Sequence, residues 1–402
     1  MNSSSTSASS ASSRITVMAR SRRLQARGWA ILGSVALVAG CAEPPPRPAP
    51  VVAEAPPASA ASAVLRANAR WVPAQWADLP GWRDDSVLAA WPALLKSCGR
   101  PAPDWVAACA SARALAAPQE VSVRAWLQAT LQPWRVESLD GNDTGLATGY
   151  FEPLVEASRL PSGRFRVPLY APPADLGMRR PWFTRAQIES DGAARAALRG
   201  REIAYVADPL DALLLQVQGS GRLAVAEPDG RRRLVRAAFA GHNDQPYQSV
   251  GRWLVERGAL TLEQASWPAI KAWARANPGR MAEMLAANPR YVFFREEPLP
   301  DPAAGPVGAQ GVPLTPGRSI AVDRNAIPLG TPVWLDTTEP QPWSPAPPPA
   351  RPLQRLVVAQ DAGSAITGAV RADYFWGWGD GAEDRAGRMK QSLRLWVLVP
   401  RR

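Results

Sequence analysis

Hydrophobic positions recur at helical spacing around residues 85 to 130, and the pattern breaks at Gly149-Tyr-Phe-Glu-Pro153, where glycine and proline bracket aromatic residues. From there to about residue 240 the spacing is strand-like. Residues 166–170, 203–206 and Leu213-Leu-Leu-Gln-Val-Gln218 are short apolar or alternating runs, and Asp229-Gly230 predicts a hairpin between 223–226 and 234–237. Helical spacing returns over 249–255, with Thr261 or Ser266 placed to cap the next helix; 271–276 runs into Pro278, and 281–287 ends before Asn288-Pro289. Strand patterns follow at 291–294, 319–323, 331–335, 356–359 and 393–398, and the proline-rich stretch 339–352 reads as a loop decorating a barrel or sandwich. The order is helical, β, helical, β, without internal repeats.

The first 40 residues read as an address rather than a fold. Arg14, Arg20, Arg22, Arg23 and Arg27, with no acidic residue, precede an apolar run from Trp29 to Gly40 that is too short to span a bilayer. The junction Leu37-Val-Ala-Gly-Cys41 resembles a lipobox, so residues 1–40 are expected to be a signal peptide and Cys41 the lipidated first residue of the mature chain. Met18 is an alternative start. Residues 41–65, rich in Pro and Ala, cannot bury a core and are expected to be a spacer between anchor and fold. The formal net charge is +11, and removing the five leader arginines leaves about +6, a modest excess that suits an acidic polymer or an anionic envelope surface. No arginine-rich helix or zinc pattern points to nucleic acid.

Cys98 and Cys109 flank a turn at Gly99-Arg-Pro-Ala-Pro103, and an oxidising compartment favours joining them in a disulfide over two buried free thiols. His242 is the only histidine, which leaves little room for a histidine-rich metal site or a serine–histidine triad; no metal and no cofactor are expected. Its loop, Gly241-His-Asn-Asp-Gln-Pro-Tyr247, suits binding or a turn. Asp373 stands in Arg371-Ala-Asp-Tyr-Phe-Trp-Gly377, twelve positions after Asp361 in Gln360-Asp-Ala-Gly-Ser-Ala-Ile-Thr-Gly368. A carboxyl among Tyr374, Phe375, Trp376 and Trp378 is a candidate for a desolvated general acid; an exposed turn aspartate is the competing reading. Gln216 and Gln218, read on one face of a strand, with Ser220 between two glycines, supply donors and acceptors suited to sugars; a tight turn with strand-end amides is the alternative. Tyr150 and Glu152 are further groove candidates, and Glu152 would equally serve as an arginine partner. The 17 tryptophans are scattered, and those at helical spacing, such as Trp267 and Trp273, read as core.

Ordered motifs from about 149 to 399 resemble those of the membrane-bound lytic transglycosylase A family, bacterial outer-membrane lipoproteins that cut peptidoglycan glycan strands. They are Gly149-Tyr-Phe-Glu-Pro153, Leu215-Gln-Val-Gln-Gly-Ser-Gly221, Tyr247-Gln-Ser-Val-Gly-Arg252, Asn288-Pro-Arg-Tyr-Val-Phe-Phe-Arg295, Ala321-Val-Asp-Arg324, Ile327-Pro-Leu-Gly330 and the two aspartate motifs. The C-terminal segment is similar to the family's three-aspartate domain, with Asp323, Asp361 and Asp373 on its named positions. Ser364 departs from a common glycine, and the loop at 339–352 reads as an insertion.

The resemblance implies a mainly β protein with helices: a double-psi-like β-barrel built from N- and C-terminal segments, with a second β-rich domain inserted. The expected boundaries are 66–148 for the N-terminal helical part, 149–290 for the insert and 291–402 for the C-terminal part. It implies a lytic murein transglycosylase that cleaves the MurNAc-β-1,4-GlcNAc bond and forms 1,6-anhydro-MurNAc. Asp373 would serve as acid and then base, with Asp361 and Asp323 supporting it. Ala42 rather than an aspartate after Cys41 is the reason to expect anchoring at the outer membrane, facing the periplasm, in line with the resemblance, which also allows complexes with cell-wall synthesis or recycling machinery. Two other readings stay open: a hydrolase using a second carboxylate such as Asp361 or Glu152, and a non-catalytic glycan-binding barrel.

Overall fold

The strands after residue 318 are apolar on both faces because both faces are covered. Val333, Leu335, Val357, Ala359, Leu395 and Val397 point into one core cluster, while the alternating Trp334, Leu356, Val358, Trp396 and Leu398 lie under a helical layer. The computed structural model describes residues 62–401 except 343, 345 and 380. The leader, Cys41 and most of the 41–65 spacer lie outside the described residues.

The helical layer is α1 (Trp91–Ser97), α2 (Val106–Ala114) and α3 (Glu120–Thr130). Beside it run β1 (Val64–Leu65), β2 (Arg70–Pro73), β3 (Leu131–Glu137) and β4 (Gly145–Tyr150). These join five C-terminal strands: β11 (Ser319–Val322), β12 (Pro332–Thr338), β13 (Pro352–Asp361), β14 (Arg371–Phe375) and β15 (Lys390–Pro400). The resulting nine-stranded sheet has the order β1-β2-β3-β15-β12-β13-β11-β14-β4, and β4 also pairs with β15. That extra pairing closes β15, β12, β13, β11, β14 and β4 into a ring, a barrel to which N- and C-terminal segments both contribute. The helical layer is tied to it by a buried bidentate pair, Arg318 to Asp85, at 2.7 and 2.9 Å.

Between the two halves of the barrel the chain builds a six-stranded sheet, β10-β9-β8-β5-β7-β6. Its strands are β5 (Leu154–Ser158), β6 (Val167–Tyr170), β7 (Glu202–Val206), β8 (Gly221–Ala226), β9 (Arg232–His242) and β10 (Val292–Pro298). The hairpin expected at Asp229-Gly230 is β8–β9, with Leu223 opposite Val235. Strand β10 departs from the expected boundary at 290: it pairs with β9 and so belongs to this sheet rather than to the barrel. Helices α4 (Arg185–Ser190), α5 (Gly192–Leu198), α6 (Pro209–Gln218), α7 (Val250–Glu256), α8 (Trp267–Ala276) and α9 (Met281–Ala286) accompany it; α10 (Ala382–Arg388) lies in the C-terminal segment. Trp267 and Trp273, expected as core, are half-buried against the α7–α9 cluster.

The strand expected at 213–218 is instead the second half of helix α6. Asp208 caps it by accepting from Leu210 N at 2.9 Å, Pro209 occupies its first turn, and Gly219 ends it at φ +81°. Leu210, Leu213 and Leu214 are buried at helical spacing, a pattern that the short window Leu213–Gln218 conceals.

Candidate active site

Strand β14 carries Ala372 and Tyr374 into the core, so the intervening Asp373 points to the other face. β4 runs parallel to it, with Thr148 in register with Asp373 and Tyr150 with Phe375. Gly149 lies between them because a Cβ there would sit 2.7 Å from the Trp376 ring nitrogen and 2.9 Å from Ala386 Cα. Asp373 thus lies on the floor of a groove of about 970 Å³, lined from the barrel by β4, β14 and residues 363–366, and from the insert by parts of α6, α7 and α8 and by Ala287, Asn288 and Arg290.

Thr148 Oγ1 donates to Asp373 Oδ1 at 2.5 Å and accepts from Arg371 Nη2 at 2.8 Å. Asp373 Oδ2 has no protein hydrogen-bond partner among the described residues. Burial raises the Asp373 pKa; the Thr148 hydrogen bond and the Arg371 charge oppose it, the Asp361 charge adds to it, and the result is about 6. At that value the carboxyl is partly protonated near neutral pH. The Tyr247 phenol, on the same groove, is pushed up by burial and further by the Asp373 charge.

Asp361 is not a lining residue but lies one contact away. Its Oδ2 accepts from the Tyr150 hydroxyl at 2.9 Å, and its Oδ1 accepts from Ala309 N and Ala362 N, each at 2.9 Å. Burial raises its pKa against these hydrogen bonds. Burial, and then the charges of Asp361 and Asp373, push the Tyr150 phenol well above its ordinary value, so it remains a donor. Asp323 lies outside the groove. It accepts from Asn68 Nδ2, Gly368 N and Asn325 N at 2.9 Å each; burial would raise its pKa, and these bonds outweigh burial and hold it low.

Of the expected sugar-binding residues, Tyr150, Gln216 and Gln218 line the groove, whereas Glu152 and Ser220 do not. Glu152 is buried in an ion-pair cluster, with Arg222 Nε at 2.9 Å and Arg236 Nε at 2.5 Å, so its charge is consumed by neutralising two guanidinium groups. The two glutamines stand on helix α6, not on a strand face. Gln218 Oε1 accepts from Phe151 N at 3.0 Å, and Gln216 Oε1 accepts from Arg185. Both amides are thereby partly committed to holding the helix against its neighbours. His242 does not line the groove; its Nδ1 accepts from Asp244 N at 3.0 Å. Cys98 and Cys109 are bonded to each other beneath the helical layer.

Sequence reasoning missed Thr148, Arg371, Tyr247 and Arg290. Thr148 alternates with Leu146 and Tyr150 on a short strand, a period-2 signal hidden by the flanking glycines and proline. Arg371 is at i−2 from Asp373, and that spacing puts both on one strand face once 371–375 is recognised as a strand.

Two family models match the chain: the MltA specific insert domain over residues 146–295 and the 3D domain over residues 318–399. Membrane-bound lytic murein transglycosylase A of Vibrio cholerae is 35% identical over 63% of this chain and 65% of its own length. The protein of that name from Escherichia coli is 32% identical over 67% of this chain and 69% of its own, so the chain spans about two thirds of these relatives. Among solved structures, the lytic transglycosylase LtgG of Burkholderia pseudomallei is 48% identical, covering 86% of this chain and 100% of that one with a TM-score of 0.57. E. coli MltA with bound chitohexaose is 28% identical over 79% of this chain and 86% of that one, with a TM-score of 0.58. The matches cover both sheets and both walls of the groove around Asp373, and the chain belongs to the membrane-bound lytic murein transglycosylase A family.

Proposed function

We propose that the chain is a lytic transglycosylase that cleaves the MurNAc-β-1,4-GlcNAc bond of peptidoglycan without water, using Asp373 first as acid and then as base. The observation that carries this reading is one carboxyl on the floor of the groove, Asp373, held through Oδ1 by Thr148 and with its pKa raised by burial to about 6. Thr148 occupies Oδ1, which leaves Oδ2 to carry the proton. That proton passes to the glycosidic oxygen as its bond to MurNAc C1 breaks. The MurNAc C6 hydroxyl then closes on C1 as its proton passes to the Asp373 carboxylate, restoring the acid. No water is consumed, and the product is a 1,6-anhydro ring.

The related E. coli structure with chitohexaose supports a β-1,4-linked aminosugar polymer as the occupant of this groove. Hydrolysis would need a second carboxylate free to activate water or to attack. Asp361 has both oxygens engaged by Tyr150 and two backbone amides, and Glu152 is held by two arginines; Glu256, the other carboxylate lining the groove, is exposed at the end of α7. Asp361 is assigned to holding Tyr150 and the 309 loop, and Asp323 to holding the 368 turn. Asp373→Asn keeps the shape and removes both proton-transfer roles, so sacculus cleavage is expected to fall by about 10² to 10⁴-fold while glycan binding persists. Near-normal turnover by that variant would refute the assignment.

The anchor is part of the same proposal: export, and attachment to the outer membrane through lipidated Cys41. Cys41→Ser is expected to yield a soluble periplasmic protein that still cleaves sacculi, and a variant that still fractionates with membranes would contradict it.

A further inference from the structure

The groove has more positive charge than a neutral sugar polymer requires. Arg252, Arg290, Arg371 and Lys390 line it, against the carboxyls of Asp373 and Glu256. None of the four cations has a carboxylate within salt-bridge distance among the described residues. Other arginines of the insert do have carboxylate partners, among them Arg159 with Glu227 and Glu296, Arg222 and Arg236 with Glu152, and Arg280 with Glu283, while the buried Arg185 is held by the carbonyls of Asn288 and Arg290 and by Gln216.

Arg371 serves Thr148 and Asp373, but Arg290 has no such employment. It is half-buried, and its Nη1 donates to the Gln245 carbonyl at 3.2 Å. Burial lowers its pKa, opposed by the charge of Asp244, which itself lies against Arg180 at 3.5 Å and His242 at 3.2 Å. The adjacent Asn288 is buried, and its Oδ1 accepts from Gln248 N at 3.2 Å and Arg290 N at 3.3 Å, which leaves its Nδ2 as a donor without a protein acceptor. Arg252, exposed on α7, adds a second cation to the same insert-side wall. A partly desolvated guanidinium beside an amide donor that no protein group engages offers two donor groups on one wall to an anion.

We propose that Arg290, Arg252 and Asn288 form a carboxylate subsite that binds the acidic substituent of MurNAc. This rests on the transglycosylase reading and extends it to substrate register. GlcNAc carries no charge, whereas MurNAc carries a lactyl carboxylate in peptide-free strands and, when substituted, a stem peptide with its own carboxylates. Reading that charge on every second sugar selects the MurNAc–GlcNAc bond, rather than the GlcNAc–MurNAc bond, for placement over Asp373.

The test measures binding to the full chain carrying Asp373→Asn, so that strands survive. The ligands are chitohexaose, peptide-free glycan strands, the same strands with carboxyls converted to methylamides, and uncross-linked peptide-substituted strands. Arg290→Gln with Arg252→Gln is expected to weaken carboxylated strands about tenfold and chitohexaose less than about twofold. Arg290→Lys is expected to recover part of the loss, and added salt to weaken the carboxylated strands selectively. Loss on peptide-free strands assigns the lactyl carboxylate, and loss confined to substituted strands assigns the stem peptide; either supports the subsite. Arg252→Gln alone, an exposed change, guards against misfolding of the double variant and is expected to show the same selectivity in smaller measure. Equal weakening of chitohexaose, or methylamide strands bound as tightly as their parents, would overturn it. Failure of the Asp373→Asn parent to bind any of the four ligands would instead overturn the transglycosylase reading and the subsite with it.

Discussion

Thr148 and Asp373, 225 residues apart, are register partners on parallel strands, and the threonine hydroxyl donates to Asp373 Oδ1 at 2.5 Å. A hydrogen bond to the charged form of an acid favours ionisation, so this contact holds the Asp373 pKa below the level burial alone would set. Thr148→Val removes it at nearly constant volume. The descending limb of kcat/KM against pH, which reports the free enzyme's acid, is expected near pH 6 in the parent and higher in the variant. A limb that stays in place or moves down, measured by sacculus clearance, would disconnect Thr148 from the acid.

The same shift makes a stability prediction. The folded state binds the Asp373 proton more tightly than the unfolded chain, whose aspartates titrate near about 3.9. Ionisation therefore costs native stability: the cost is absent below that value, grows as pH rises and is complete above about 6. Asp373→Asn removes it. The variant is expected to be more stable than the parent at pH 7 to 8 by about 1–2 kcal/mol, after allowance for partial exposure, and to lose that advantage near pH 3.5. Thermal unfolding across this range checks the sign; an advantage confined to low pH would contradict it.

Glu152 separates a structural role from a binding role. Its side chain is fully buried, against guanidinium groups that are 5% and 6% exposed. Glu152→Gln leaves two buried cations without a counter-charge, and unfolding free energy is expected to fall by about 3–5 kcal/mol. Denaturant titration beside glycan affinity distinguishes the cases: unchanged stability with weakened binding would return Glu152 to the groove.

Four of the barrel strands and the disulfide pairing were legible because their causes are local: two-faced apolar runs for β11, β12, β13 and β15, and a turn between two nearby cysteines. Glu152 and Gln216 were misplaced because their environments are not. Glu152 meets Arg222 and Arg236, both at least 70 residues away in the chain, and no spacing rule shows which charges will share a buried cluster. Gln216 and Gln218 were assigned to a strand because the apolar run from Leu213 was read without its cap, Asp208-Pro209. Asp373 was legible as a candidate from its motif, but the aromatic residues beside it in sequence do not line the groove: Tyr374 points into the core, and the burial of Asp373, like its contacts with Thr148 and Arg371, depends on the pairing of β4 with β14. The groove's cations depend on bringing α7 and the 288–290 turn beside that pair, which tertiary structure alone decides.

The Cys98–Cys109 bond closes a short loop within the helical layer that covers the barrel's outer face. Replacing both with serine is expected to lower stability by about 2–4 kcal/mol through loss of the cross-link. Non-reducing peptide mapping of protein from an oxidising compartment should find one linked peptide. Two alkylatable thiols at parent stability would contradict both statements.

The central claim is that the nucleophile is the substrate's own C6 hydroxyl and that Asp373 alone moves the proton. Digestion of purified sacculi in ¹⁸O-labelled water, followed by mass spectrometry of the muropeptides, tests it most directly. The account predicts 1,6-anhydro-MurNAc ends with no label incorporated by the parent, and neither product from Asp373→Asn. Reducing ends carrying ¹⁸O would show that water attacks C1, and the single-carboxyl mechanism would fail.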